Sequence, residues 1–501
     1  MDHKQDGPDH SAVAEPEHEH LTTEMAEALA GQDYTLGIVP DTKRRTNWTM
    51  FWLWVTLQVS VAYMYTGYLA RSQGLALGDM ILAGVLGAII IFLYGSLSAN
   101  LGTFTGLTHT LLTRTIYGRA GSGFVSLLLI VMGMGWYGFQ ALFLALILQG
   151  LFGFDNNLVA VLAAVFGFVM IANNLFGFRG VAAYARWVAA PLLLLWGFYA
   201  LIKGFATVPG ATLFSAPNVK EVTISVPVVM GLLIGGMAWG NEPDIFRYAK
   251  KARPFSLPTL FFGYLIGSLV FPVAGYLMAE LANTTDFGAA MKYFVDFSLF
   301  GLVALGVIVF FVNQFALNDG NLYESINAMQ NLFGWRRYYS VLILGVLGAV
   351  LAYVMATAQS VQNNFFIVAN ISGIFVPCAT TIMAVDYFIV PRLFPSLKRP
   401  SNKLTNWGDA ALINPVAFVA LLIALIVGAY TGGLIPGTAG FGTTNIGLPT
   451  LQSWAIAAIV YLVGIAIVRG RSDAYRLLGF PKHFEAPGPE AKATAPAPAH
   501  S

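Results

Sequence analysis

Long apolar stretches with almost no charge decide what this chain can fold into. Only 10% of its 501 residues are charged, against about 25% in soluble domains, so polar groups could not cover a globular surface. The stretches are continuous rather than alternating in segments of about ten residues, which favours a helical bundle over a membrane barrel. The sequence therefore predicts an all-α polytopic membrane protein that is solvated by lipid.

Twelve of these stretches are long enough to cross a bilayer, which takes a helix of about 20 apolar residues. They cover approximately residues 48–70, 79–101, 122–150, 157–176, 185–203, 224–246, 256–280, 296–319, 338–357, 364–390, 414–433 and 450–469. We number them as the first to the twelfth span. The eighth span runs into a polar helical extension, and polar residues separate the fourth span from the fifth.

The two ends of the chain are polar. Residues 1–46 are predicted to be a disordered cytoplasmic tail, with no apolar segment that would mark a cleavable signal peptide. The histidines in this tail are interpreted as solvated residues rather than as a metal site. Residues 47–470 are the predicted transmembrane transporter domain, and residues 471–501 are a second cytoplasmic tail that becomes rich in Ala and Pro.

Basic residues are concentrated on one side of the predicted membrane domain. If the N-terminus is inside, the outer loops hold only Arg71, Lys203, Lys220 and Lys292, and most other Lys and Arg residues lie close to the inner surface. Cytoplasmic loops carry this kind of excess. The bias predicts an even number of spans and cytoplasmic N- and C-termini. The membrane is expected to be the plasma membrane.

Several functional classes lack the residues that they need. The net charge of +2 gives no reason to expect a nucleic-acid partner, and the single cysteine, Cys378, excludes an intramolecular disulfide. His109 is the only histidine between the tails, and no nucleophile–base pair lies at membrane depth, so we predict no enzyme, catalytic residue, metal or cofactor. The absence of a Walker A motif argues against an ATP-driven pump, and the absence of charged rings argues against an ion channel.

A pair of polar and aromatic residues in the third span points to a planar ligand. Trp136 and Gln140 are four residues apart and share a helix face with Gly133. An indole with an amide one turn away suits a flat heterocycle, which stacks on the ring and pairs with the amide. The alternative is a packed Trp and an interhelical hydrogen bond from Gln.

Spans six and eight also carry unusual residues at membrane depth. Gly235 and Gly236 at the centre of the sixth span favour either unwound backbone or close helix packing. The eighth span approaches its inner end with Asn313, Gln314, Asn318 and Asp319, which either line a polar path or mark the helix exit. Glu242 and Asp244 precede a basic segment, and the alternative to a functional role is an interfacial salt-bridge network with Arg247 and Lys250.

Four segments and one loop form a pattern that extends over several spans. They are Gly135-Trp136-Tyr137-Gly138-Phe139-Gln140, Pro243-Asp244-Ile245-Phe246-Arg247-Tyr248, Asn318-Asp319-Gly320-Asn321-Leu322-Tyr323, Ala384-Val385-Asp386-Tyr387 and the loop Gly106-Leu107-Thr108-His109. In their order, spacing and helix placement they resemble the nucleobase–cation symporter family, in its purine/cytosine permease branch. The resemblance covers nearly the whole membrane part. It implies a leucine-transporter-like fold of two inverted five-helix repeats plus two C-terminal helices. Helices 1 and 6 would be interrupted, with Gly235 and Gly236 offering free backbone groups at the sixth-span break.

The resemblance also implies a substrate site between the first, third, sixth and eighth spans. Trp136 would stack on the base and Gln140 would hydrogen-bond to it. Gln58 of the first span would face the same site, and Asn318 would close it from the eighth span.

Two departures from the family pattern bear on the cation and on the substrate. Relatives that use sodium present hydroxyl groups about where this chain has Ala316 and Leu317. The remaining sodium ligands would be backbone carbonyls near Trp54 and Leu57 and the amide of Asn313. A proton is the expected replacement, and its candidate carriers are Glu242, Asp244 and Asp319. Relatives also commonly place an aromatic residue where Gly235 falls, so one ring of the sandwich around the base is missing here. Either the pocket takes a larger or differently tilted ligand, or another aromatic residue such as Trp239 supplies the ring.

The sequence thus predicts a cation-coupled importer of a nucleobase or related planar heterocycle, such as cytosine, a purine, uracil or allantoin, working by alternating access in the lipid bilayer. The co-transported ion is H⁺ or Na⁺. The alternatives are a symporter of the same fold for a non-aromatic solute such as an amino acid, and, less favoured, a channel or receptor.

Overall fold

The computed structural model describes residues 34–213, 223–240, 242–250, 256–282, 293, 299–358, 360–399, 404–442 and 445–481. Within these residues, eight helices are long and apolar enough to cross a membrane, and Pro415–Thr431 is a shorter apolar helix. The predicted all-helical membrane fold is confirmed. The count of twelve spans stays a prediction. One of the eight helices, Asn156–Thr207, covers both the fourth and the fifth predicted span, and the first and sixth spans consist of segments shorter than a spanning helix.

The helices follow the predicted spans in order. They are Asn47–Gln58 and Val61–Ser72 (first span), Leu77–Thr105 (second), His109–Phe152 (third), Asn156–Val169 (fourth), Gly177–Tyr184 and Ala190–Thr207 (fifth), Val226–Met237 and Glu242–Phe246 (sixth), Ser256–Leu265 and Phe271–Ala282 (seventh), Val303–Phe333 (eighth), Arg337–Ala358 (ninth), Val361–Ala384 and Val390–Leu393 (tenth), Pro415–Thr431 (eleventh) and Pro449–Val468 (twelfth). π-helical turns at Ala185–Ala189, Ile266–Val270 and Val385–Ile389 join the segments of the fifth, seventh and tenth spans.

Helix packing is reciprocal between two halves of the bundle. The first span packs on the seventh while the sixth packs on the second, and the third span packs on the tenth while the fifth packs on the eighth. The third and eighth spans contact each other, as do the fourth and ninth. Exchanging spans one to five with spans six to ten leaves this pattern unchanged, as two inverted repeats require. The eleventh and twelfth spans pack on each other and on the tenth.

The first span is interrupted at Val59 and Ser60, which adopt extended backbone conformations. The side chain of Ser60 accepts a hydrogen bond from the Ala62 N–H (3.0 Å) and so caps the second segment. Asn313 of the eighth span closes the break, because its amide nitrogen donates to the Val59 carbonyl (2.7 Å) and its amide oxygen accepts from the Val61 N–H (3.1 Å). One side chain therefore pairs the backbone groups that the break frees.

The sixth span is also interrupted, but not at the two glycines that the sequence pointed to. Gly235 and Gly236 remain helical, and the helix ends at Met237. Their small size serves close packing, because a Cβ at Gly235 would lie 2.2 Å from the Ala369 carbonyl oxygen and one at Gly236 would lie 2.6 Å from the Tyr63 ring. The break itself uses Gly240, whose φ of +78° is a conformation that favours glycine.

The eighth span begins and ends later than predicted. Its helix starts at Val303 and continues to Phe333, so Asn318 and Asp319 lie in mid-helix rather than at a helix exit. Hydropathy falls after residue 317, but the polar side chains that follow are buried between other spans, and this packing keeps them helical. The polar extension is part of the bundle.

Parts of both predicted tails are packed against the bundle. In the N-terminal tail, Val39 is buried, and the Arg44 guanidinium donates to the backbone carbonyls of Thr103 (2.9 Å) and Ala249 (2.8 Å). In the C-terminal tail, the Leu478 carbonyl accepts a hydrogen bond from Arg399 (2.5 Å). The predicted disorder of the N-terminal tail therefore does not extend to residues 34–46, and residues of the C-terminal tail up to 481 also contact the bundle. The predicted tail residues 1–33 and 482–501 lie outside the described residues.

Candidate functional site

Trp136 lies inside the bundle. Its side chain is 2% exposed, and its ring meets Phe139 edge-on at a centroid distance of 5.9 Å. Phe365 of the tenth span makes a second edge contact at 6.1 Å. The indole N–H has no hydrogen-bond partner among the described residues. A buried donor without an acceptor is costly, so this group is suited to a ligand.

Phe365 completes an aromatic cluster that the sequence did not reveal. Its ring also contacts the rings of Tyr65 in the first span and of Phe139, at centroid distances of 5.4 Å and 5.6 Å. Three spans thus place aromatic rings around one point. No local signal marks Phe365, because it sits in an apolar helix among other phenylalanines, and only the packing of the tenth span on the third brings it to Trp136.

Two buried glutamines on neighbouring spans have amide atoms without a hydrogen-bond partner among the described residues. The amide oxygen of Gln140 and both polar atoms of Gln314 have no hydrogen bond to any described residue. Gly133 lies against Ser325, and Asn318 donates to the Tyr137 carbonyl (3.1 Å), so the third and eighth spans run antiparallel in a fixed register. Extending this register by one turn sets Gln314 level with Gln140. From the sequence, Gln314 was expected either to line a polar path or to mark the helix exit, with no role at the substrate site.

Gln58 has a different neighbour from the one expected. Its polar atoms also lack partners among the described residues, but its Cγ packs 3.4 Å from the position of a Cβ at Gly263, in the seventh span. The structure therefore places Gln58 against the seventh span rather than beside Trp136.

The two central glycines of the sixth span contribute less than expected. Gly235 packs against the tenth span one turn from Phe365, which leaves no room for an aromatic side chain at this position. The Gly236 carbonyl accepts hydrogen bonds from the Tyr63 hydroxyl (2.8 Å) and from the Trp239 indole. Trp239 therefore folds back on the helix end, and its indole N–H is already used.

Asn318 is fully engaged within the protein. Its amide nitrogen contacts the Tyr137 carbonyl (3.1 Å) and the Met170 sulfur (2.9 Å), while its oxygen accepts from Asn321 (3.1 Å). These contacts hold the eighth span to the third and fourth. The predicted role of closing the substrate site is not the one that its contacts show.

The Asn313 amide, one of the candidate sodium ligands at the first-span break, is already engaged, because it bridges Val59 and Val61. The side chains of Ala316 and Leu317 are buried and carry no oxygen that could replace it. A hard cation needs several oxygen ligands. The backbone carbonyls near Trp54 and Leu57 stay predicted ligands.

Asp319 belongs to a network that joins three elements. Its carboxylate accepts from the Asn173 amide (2.8 Å), and its backbone carbonyl accepts from Asn174 (3.1 Å). The Arg337 guanidinium in turn donates to the Asn174 backbone (3.1 Å) and side chain (3.1 Å). The contacts connect the eighth span, the link between the fourth and fifth spans, and the ninth span.

Two carboxylates follow the sixth-span break, and each accepts two hydrogen bonds. Glu242 accepts from Ser98 (3.0 Å) and from the Tyr264 hydroxyl (3.1 Å). Asp244 accepts from the Asn327 amide (2.7 Å) and from the His109 backbone (3.3 Å).

Neighbouring basic residues are arranged differently from the predicted interfacial network. The Nε of Arg247 donates to the backbone carbonyl of Asp244 (3.1 Å), and its guanidinium reaches the Tyr323 hydroxyl (3.0 Å). Arg247 and both acidic side chains are buried, so this group lies within the bundle rather than at a hydrated interface.

Glu324 is a buried acidic residue that the sequence analysis did not single out. It is 1% exposed, and neither carboxylate oxygen has a hydrogen-bond partner in the part of the chain that the structure describes. One oxygen lies 3.6 Å from the position of a Cβ at Gly240, which puts it at the sixth-span break. It was missed because the eighth span was predicted to end at residue 319, which left Glu324 outside the membrane.

A cavity lies between the second and tenth spans, with walls that are mostly apolar. It is lined by Tyr94, Leu97, Ser98, Thr380, Thr381, Ala384, Val385, Phe388 and Ile389. None of the predicted substrate residues lines it, so it is separate from the cluster around Trp136.

A sequence model of the family described as permeases for cytosine/purines, uracil, thiamine and allantoin matches residues 38–437. The chain belongs to this family. The resemblance seen in the sequence is confirmed, and because the family consists of permeases, so is the prediction of a transporter rather than an enzyme. The permease is 25% identical over 415 residues to cytosine permeases from strains of Escherichia coli, covering 82% of this chain and 92% of each relative.

Solved structures support the fold of the permease. Mhp1, a nucleobase-cation-symport-1 family transporter, in a closed conformation with bromovinylhydantoin bound, matches with a TM-score of 0.67 and 17% identity over 89% of this chain and 98% of Mhp1. The inward-facing conformation of Mhp1 gives 0.65 at 19% identity, over 86% of this chain and 93% of Mhp1. A Na⁺-coupled sialic acid symporter gives 0.59 at 13% identity, over 89% and 95% of the two chains. The predicted leucine-transporter-like fold with interrupted first and sixth spans is confirmed.

Proposed function

We propose that this permease imports a nucleobase or a closely related planar heterocycle through the plasma membrane, coupled to a cation and by alternating access. Membership of the permease family and the similarity to cytosine permeases support the substrate class. The bias of basic residues supports cytoplasmic termini. The observation that carries the proposal is the buried indole of Trp136 beside Gln140, one turn away. The indole N–H and the Gln140 amide oxygen have no hydrogen-bond partner among the residues that the structure describes.

The aromatic cluster gives the base two rings to contact. Trp136 and Phe365 meet edge-on, with ring centroids 6.1 Å apart and an angle of 74° between the ring planes. If the third and tenth spans separate modestly, a flat base can stack on Trp136 and meet Phe365 edge-on. Phe365 would then supply the second aromatic contact that relatives place at the position of Gly235. Stacked and edge-to-face arrangements are both favourable for aromatic pairs.

Polar recognition would come from the third and eighth spans. Gln140 can accept from a ring N–H or an exocyclic amine, and the Trp136 N–H can donate to a ring carbonyl or nitrogen. Gln314, level with Gln140 in the register of the two spans, offers both a donor and an acceptor. A non-aromatic amino acid would leave the rings without a stacking partner, so we favour the heterocycle.

Saturable uptake of labelled cytosine, uracil, adenine and allantoin tests the stacking assignment. Trp136→Leu should abolish uptake of the accepted base while leaving membrane expression intact. Trp196→Leu is the matched control. Trp196, in the fifth span, is also buried, and its ring contacts the rings of Phe271 and Phe310 at centroid distances of 5.6 Å and 5.3 Å. Unchanged affinity in the Trp136 variant, or equal loss in both variants, would reject a stacking role.

Purified permease can separate the two substrate classes without a transport assay. A panel of bases and amino acids should raise the melting temperature only with the bases, because binding to the folded state stabilises it. Stabilisation by an amino acid alone would favour the rival symporter.

A further inference from the structure

Acidic side chains from two elements meet at the sixth-span break. The short helix after the break supplies Glu242 and Asp244, and the eighth span supplies Glu324. All three are buried, and they interact electrostatically with one another. Glu242 and Asp244 each accept two hydrogen bonds, so their charge is partly compensated by donors.

Glu324 differs from its two neighbours because no described residue donates to it. The titratable and charged groups of the surrounding spans are Tyr94, His109, Glu242, Asp244, Arg247, Tyr264 and Cys378. Arg247, the cation of this group, donates to the Asp244 carbonyl and to Tyr323. His109 bonds to the Thr380 hydroxyl through Nε2 (2.8 Å).

An ionised carboxylate in this position would be unstable. Burial removes the water that solvates the charge, and no donor from the described ranges of the chain replaces it, while two further carboxylates repel it. A neutral carboxylic acid avoids both costs. Acidic residues inside membrane proteins that face the bundle interior often form part of ion or proton pathways.

We propose that Glu324 binds the proton that is transported with the base. The inference rests on the proposed cation-coupled transport and names both the ion and its site. A proton needs a single oxygen, whereas sodium needs several, and at the first-span break the Ser60 hydroxyl and the Asn313 amide are already hydrogen-bonded to backbone groups.

The position of Glu324 explains how a proton could control access. With the proton bound, the neutral side chain packs at Gly240, where the eighth span meets the segment after the break. When the O–H bond breaks and the proton passes to cytoplasmic water, the carboxylate left behind is repelled by Glu242 and Asp244. The two elements then separate, and a proton taken up from the outside restores the neutral contact.

The same segment of the eighth span contacts the third span close to the substrate residues. Ser325 follows Glu324 directly, and its hydroxyl lies 2.3 Å from the position of a Cβ at Gly133, three residues before Trp136. A displacement of the eighth span at Glu324 therefore acts on the helix that carries the stacking ring.

Glu324→Gln tests the proposal in vesicles containing purified permease, because it imitates the protonated side chain and cannot release a proton. We expect the variant to bind the base and to exchange internal for external label, since exchange needs no change of protonation. Accumulation against a gradient under an imposed pH difference should fall to simple equilibration. Glu280→Gln is the control, since Glu280 is a carboxylate of the seventh span that is paired with Arg71 and has no proposed role in coupling, and this variant should still accumulate base.

Accumulation by Glu324→Gln at the wild-type level would overturn the proposal. If this variant does not fold, Glu324→Asp replaces it, and it should keep pH-driven accumulation with a shifted pH profile; an unshifted profile would count against the site. Wild-type accumulation that follows a sodium gradient and ignores pH would overturn the proton while leaving cation-coupled transport intact. Wild-type permease that only equilibrates base would remove the proposed coupling itself.

Discussion

The two broken spans of this permease occupy related positions in the inverted repeats, yet their breaks are built from opposite chemistry. At the first-span break, the neutral amide of Asn313 satisfies the freed backbone groups of Val59 and Val61. At the sixth-span break, Gly240 turns the chain beside the unpartnered carboxylate of Glu324. One break is neutral and closed by hydrogen bonds, and the other carries an uncompensated acidic group.

This difference separates two tasks that a single break could have combined. Hydrogen bonds across the first break make it a structural joint, because opening it would expose buried backbone groups. The sixth break gains nothing from its acidic group unless a proton neutralises it. We therefore place ion coupling at the second of the two breaks, and the following predictions test each side of the comparison.

The largest effect is expected from Gly240→Ala at the sixth-span break. The added Cβ would be strained at φ +78° and would lie 2.3 Å from Val376, so we expect a loss of about 3 kcal/mol in the free energy of unfolding. Gly334→Ala is the matched control, since it has φ +66° but nothing within 4 Å, and it should lose only about 1 kcal/mol. Unfolding in detergent micelles with increasing SDS measures both; equal losses would show that packing at the break is unimportant.

A smaller effect is expected from Asn313→Leu at the first-span break. The change leaves the Val59 carbonyl and the Val61 N–H without their partner, and burying such groups costs about 2 kcal/mol. The same micelle assay should show this loss, and any remaining transport should stay independent of sodium. If sodium stimulates transport by the wild type and Asn313→Leu removes that stimulation, the first-span break is an ion site instead.

The smallest effect is expected from Ser60→Ala. It removes the cap on the Ala62 N–H at the start of the second segment, which is worth about 1 kcal/mol. Base affinity should not change, because the cap holds the break and contacts no predicted substrate residue. A large fall in affinity, measured by the melting-temperature shift with base, would mean that the first break belongs to the binding site.

The sequence predicted the parts of the fold that depend on the bilayer. Continuous apolar runs identified the helical bundle, and the resemblance to the permeases gave its repeats and its two interrupted spans. The sequence misplaced the break in the sixth span because glycine occurs both where a helix unwinds and where helices pack closely. At Gly235 and Gly236, only the tertiary contacts with Ala369 and Tyr63 distinguish the two cases.

The residues of the candidate substrate site could be predicted from the sequence only where they lie on one helix. Trp136 and Gln140 share a face, so their spacing was enough to select them. Phe365 and Glu324 depend on how distant spans meet, and Glu324 was further hidden because hydropathy ended the eighth span at residue 319, although the helix continues to Phe333. Hydropathy does not identify this part of the helix because its polar side chains contact other spans rather than lipid.

The most direct test measures the external pH while base enters weakly buffered, sodium-free vesicles that contain the wild-type permease. If Glu324 carries the coupled ion, the outside becomes more alkaline as base enters, and the alkalinisation is lost in Glu324→Gln. Base entry at constant external pH, with sodium required for accumulation, would contradict the assignment of coupling to the sixth-span break.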